Sequence, residues 1–94
     1  MDAKKLRESP TPPVGQGNAA TALWHAARGE MARAHDLVKD DTSAAAAWVH
    51  AHLHRREGDN ENAEYWYGRA GKKASIEDFD DEWSTIAAGI LFRQ

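Results

Sequence analysis

Ninety-four residues with a formal charge of −3 make one small domain and lack the basic footprint of a nucleic-acid binder. The absence of cysteine excludes disulfides, thiolate metal sites and a cysteine nucleophile, and it suits the cytoplasm. No apolar run reaches the roughly 18 residues of a membrane span and the amino terminus lacks a signal-peptide core, so a cytoplasmic protein with no membrane partner is expected.

Met1–Glu8 is charged, with room for a turn or two of helix through Leu6. Ser9-Pro10-Thr11-Pro12-Pro13 breaks any helix, because proline lacks the donor and disfavours helical geometry in the residue before it. Gly15-Gln16-Gly17 adds flexibility. Residues 1–17 are therefore expected to form a flexible or extended arm outside the core, and residues 18–94 a helical-repeat domain. A polyproline ligand for an aromatic groove is the sharper alternative for the arm.

Asn18 is the expected cap of the next helix, with Ala19, Ala22, Leu23 and Ala26 on one face and Ala20, Trp24 and Ala27 on another. A helix apolar on two faces must be covered twice. Gly29 suits the left-handed residue that ends it. Met31, Ala34, Leu37 and Val38 stripe the following helix, which fades at Asp40-Asp41. Ser43 caps a third, running through Trp48, Ala51 and His54 to Gly58. Asp59 caps a fourth, on which Ala63, Trp66, Tyr67 and Ala70 form a single-sided stripe with Tyr65 at its edge. Ser75-Ile76-Glu77-Asp78 has the form of a capping box, and Ile76, Phe79, Trp83, Ile86, Ala87 and Ile90 stripe the last helix. The fold class is all-α, with about five antiparallel helices and no strand.

Two stretches copy one another twenty-nine residues apart: Ala22-Leu23-Trp24-His25 to Gly29-Glu30 and Ala34, and Ala51-His52-Leu53-His54 to Gly58-Asp59 and Ala63. Each is an apolar helix, a glycine turn and a second helix, the pattern of a helical hairpin repeat. Gly58-Asp59, Ala63, Tyr67 and Ala70 resemble the second helix of the tetratricopeptide repeat and the related Sel1-like repeats. Trp83, Ile86-Ala87 and Ile90 resemble the first helix of such a repeat, which implies a third repeat cut short or a capping helix. The chain departs from that family in its short period, where about 34 residues are usual, and in His54 at a position normally large and apolar. Trp24-His25-Ala26-Ala27-Arg28-Gly29 with Tyr65-Trp66-Tyr67 also resembles a group of small bacterial proteins of unassigned role.

The resemblance implies two helix-turn-helix repeats and a groove lined by the outward face of each repeat's first helix. Trp48, His52, Arg55 and Arg56 occupy those places in the second unit, and Leu23, Ala26 and Ala27 in the first. Two arginines beside a tryptophan suit a carboxylate or phosphate, because guanidinium bonds such groups through two donors. His50 and His54 lie four apart on one helical face, and His25 is the repeat equivalent of His54. Three imidazoles with an open position would suit zinc, although no carboxylate stands obviously behind them. The run Glu77, Asp78, Asp80, Asp81, Glu82 reads as solvated capping at a helix start.

No nucleophile elbow, phosphate-binding glycine loop or zinc-protease helix is present, and Ser9, Ser43, Ser75 and Ser84 have no base beside them. The expected function is therefore a non-catalytic module binding a protein or peptide with an acidic group, without a cofactor. Trp48 would anchor it and Arg55 and Arg56 would orient it. The alternative is a small-ligand or metal binder built on His25, His50 and His54 with neighbouring aromatics. A homodimer paired through the Trp83–Ile90 stripe is a further possibility. Charging all five histidines would turn −3 into +2, which makes a pH-dependent partner conceivable.

Overall fold

The computed structural model describes residues 1–91, and all regular structure among them is helical. In chain order the helices are α1 (Ala3–Glu8), α2 (Asn18–Ala27), α3 (Met31–Val38), α4 (Ala44–Arg56), α5 (Asn60–Ala70) and α6 (Phe79–Ile90). Among the described residues no helix is long and apolar enough to cross a membrane.

The sixth helix is α1, in the segment expected to lie outside the core. Asp2 caps it by accepting the Lys5 amide at 2.9 Å, and Leu6, at 0% exposure, joins the main core. Arg7 lies 4.2 Å from the centre of the Trp83 ring. The turn after α1 is tied down too, because Trp24 Nε1 donates to the Ser9 carbonyl at 2.9 Å and Arg28 donates to the same oxygen. The arm expected over residues 1–17 is thus corrected. Its first third packs as a helix, and residues 10–17 have no regular structure. One leucine and a guanidinium on an indole hold it, which a charge-rich composition conceals.

Gly17 (φ +89) precedes α2 without a side-chain cap, so Asn18 is the first helical residue, one place later than its expected role. Both faces of α2 are covered, by α1 and α6 as well as by α3 and α4. Helices α2 and α3 join at Gly29 (φ +76), and α4 and α5 at Gly58 (φ +79). The two corners share their backbone bonds: Gly29 to Ala26 and Glu30 to His25, against Gly58 to Arg55 and Asp59 to His54, each 3.0 Å. Ser43 and Asp59 cap α4 and α5 as their positions predict.

The last helix starts later than the sequence suggests. Ser75 Oγ accepts the Glu77 amide at 3.1 Å in a local turn, Ile76 is 98% exposed, and α6 begins only at Phe79. From there α6 lies against α1, α2 and α4. Trp83, Ile86 and Ala87 point inward, and Trp83 Nε1 donates to the Leu23 carbonyl at 2.8 Å. The stripe considered as a dimer face is therefore largely spent inside the molecule. α4 is the hub, touching α2, α3, α5 and α6, which is why its polar residues meet so many partners.

Candidate functional site

The face of α4 expected to line an open groove is covered by α6. Nδ1 of His52 bonds Glu82 Oε1 at 2.7 Å with both side chains buried, and Arg55 donates to that oxygen at 3.1 Å. The Tyr67 hydroxyl donates to the second oxygen of the carboxylate. Burial pushes the Glu82 carboxyl up, but hydrogen bonds from His52, Tyr67 and Arg55 outweigh it and hold it below the usual range. Burial and the neighbouring carboxylate together push the Tyr67 hydroxyl up. Arg55 also reaches the Glu77 carbonyl, and Arg56 donates to the Ala26 carbonyl at 3.2 Å. Of the predicted partner-binding set, His52, Arg55 and Arg56 are thus engaged within the fold. Glu82, read from sequence as solvated, is the centre of a buried network.

Trp48 keeps a partly open side. Its ring lies against α6 at Gly89, with Lys72 Nζ 4.3 Å from the ring centre. Ala44, Ala45, Ala70 and Ile90 complete a groove of about 300 Å³ with these residues. Among the described residues, Lys72 is the one charged residue in its lining.

The imidazoles come together in a different combination from the one predicted. His25 Nδ1 pairs with Glu30 of its own corner at 2.9 Å. The cluster is His35 from α3 with His50 and His54 from α4, one nitrogen of each within 4.8 Å of the others. His50 and His54 stack with centres 4.8 Å apart, and His35 meets both edge-on. The Trp66 indole stacks on the other side of His50 at 4.0 Å. Burial, and then the like charges of His54 and His35, push His50 down to about 4. Burial pushes His54 down as well, so both are neutral ligand bases at pH 7.

Carboxylates do stand behind this cluster, contrary to the sequence reading. Glu57 bonds Nε2 of His35, and Asp59 Oδ2 lies 3.6 Å from Nδ1 of His54. The repeat equivalence singles out His25, yet the antiparallel packing of α3 on α4 brings in His35. The sequence signal for His35 is its place between Met31 and Val38, four and three residues away respectively on the striped face of α3.

No protein family, curated protein or solved structure matches this chain.

Proposed function

We propose that this chain is a non-catalytic helical binding module, akin in design to tetratricopeptide and Sel1-like repeats, that holds an acidic, apolar-flanked segment of another protein in the Trp48 groove. The makeup of that groove supports the reading: among the described residues its lining is indole, alanine, glycine and isoleucine surface around one cation, Lys72. The N-terminal end of α4, at Ala44 and Ala45, adds the positive end of a 13-residue helix dipole. The shared backbone bonds of the Gly29 and Gly58 corners support the repeat design. Trp48 stays the anchor, while Lys72 takes the orienting role that sequence gave to Arg55 and Arg56.

Selection of displayed peptides against the full chain tests this. Enriched sequences are expected to carry an acid beside a large apolar residue. Their affinity is expected to fall at least about tenfold on Lys72→Glu, since like charges across an interface cost several kcal/mol. No enriched motif, or equal binding by the variant, counts against the groove.

A further inference from the structure

We propose that His35, His50 and His54 form a divalent transition-metal site that clips α3 to α4. Three separate observations converge on it. A nitrogen from each ring already lies within 4.8 Å of the other two. Nδ1 of His50 is buried without a hydrogen-bond partner, and His50 as a whole is only 7% exposed. Buried polar atoms are nearly always paired, and leaving one unmade costs free energy, so this nitrogen, set among two other imidazoles, calls for a ligand. Glu57 and Asp59 stand behind His35 and His54 as the carboxylates that orient ligating imidazoles.

The donor set selects the ion. Imidazole nitrogens suit zinc, cobalt, nickel and copper, whereas calcium and magnesium want a shell of oxygens. Zinc–nitrogen bonds of about 2.0–2.1 Å in a tetrahedron put ligand nitrogens about 3.3 Å apart, so the rings must draw together by roughly 1.5 Å. His35 and His54 lie partly at the surface, and side-chain rotation there supplies that movement without shifting a helix. Three ligands leave a fourth position for water. His50 carries the Trp66 indole on its face, so an ion bound there reports itself in tryptophan emission.

The test uses the full chain without a histidine tag and zinc as the probe, in competition with a chromophoric chelator. One zinc per chain is expected, with a change in Trp66 emission and tetrahedral absorption bands on cobalt substitution. His35→Ala and His54→Ala are expected to weaken zinc by more than about a hundredfold, and Glu57→Gln by about 10–100-fold, the range for a carboxylate behind a ligand. His25→Ala, which removes the histidine that pairs with Glu30, is expected to leave affinity unchanged. Should a variant fail to fold, imidazole nitrogen shifts in the unmodified protein decide, moving for His35, His50 and His54 and not for His25 or His52. No zinc uptake, binding that survives loss of His35 and His54, or shifts confined to other histidines would each overturn the site.

Discussion

His52 and Glu82, thirty residues apart in the chain, meet at 2.7 Å with neither side chain in contact with solvent. The pair fastens α6 to α4, and Arg55 and Tyr67 complete the shell of the carboxylate. Removing the buried carboxylate breaks its ion pair with Arg55 and leaves His52 and Tyr67 without their partner, which costs about 3–5 kcal/mol. That approaches the whole stability expected of a domain this small. Glu82→Ala is therefore expected to leave the chain largely unfolded at 25 °C, read by far-ultraviolet circular dichroism and urea titration. Asp81→Ala, at an exposed neighbour, is expected to stay within about 0.5 kcal/mol. A loss below 1 kcal/mol on Glu82→Ala would show that the network contributes little.

The amino-terminal helix yields a second expectation. Leu6 is fully buried in the main core, where α1 packs on α2 and α6. A leucine truncated to alanine in such a site loses about 2–5 kcal/mol through lost transfer energy and the cavity left behind. Leu6→Ala is expected to unfold at markedly lower urea, whereas Val14→Ala, at a residue 94% exposed, is expected to match the parent. Equal stability of the two variants would return residues 1–9 to the status of a detached arm.

The parts of this fold that sequence made legible are those set by local chemistry. Gly29 and Gly58 turn because only glycine takes positive φ cheaply, and Ser43 and Asp59 cap because a short oxygen reaches a free amide. The stripe of Ala63, Tyr67 and Ala70 follows from helical period alone. What stayed hidden depends on how helices rotate against each other. Glu82 sits among Asp78, Asp80 and Asp81, which are exposed, and only the seating of α6 on α4 separates it from them. For the same reason His35 joins the imidazole cluster and His25 does not: repeat equivalence maps one sequence position onto another, while the cluster is made by what packs across.

Two glycines inside helices offer a comparison with opposite signs. A Cβ built on Gly68 meets nothing within 4 Å, so Gly68→Ala gains helix propensity worth roughly 0.5–1 kcal/mol. A Cβ on Gly89 would sit 2.7 Å from Cζ3 of Trp48. Overpacking of that kind costs about 1–3 kcal/mol, more than the propensity gain. The first substitution is expected to raise the urea midpoint and the second to lower it and shift tryptophan emission as the Trp48 ring gives way. A Gly89→Ala chain more stable than the parent would mean that the ring swings aside freely.

Acid sensitivity follows from His50. Burial and the neighbouring charges of His54 and His35 hold it at about 4, while an unfolded imidazole titrates near 6.5. Between those values the unfolded chain binds a proton that the folded chain refuses, so lowering the pH favours unfolding. The stability is fully present above about pH 6.5 and is lost progressively towards pH 4, by on the order of 3 kcal/mol over that window. His54 is displaced in the same direction, and Glu57 opposes the effect by attracting a proton to the cluster. Glu82 works in the next window down: its depressed carboxyl contributes above its ordinary 4.5 and the contribution fades as pH falls through the folded value. Urea midpoints at pH 7, 5.5 and 4 in the presence of a chelator separate the two, because His50→Gln is expected to flatten the slope above pH 4.5 and leave the fall below it. A parent chain equally stable at pH 7 and 5 would mean that His50 is wetter than its contacts with Trp66 and His54 imply.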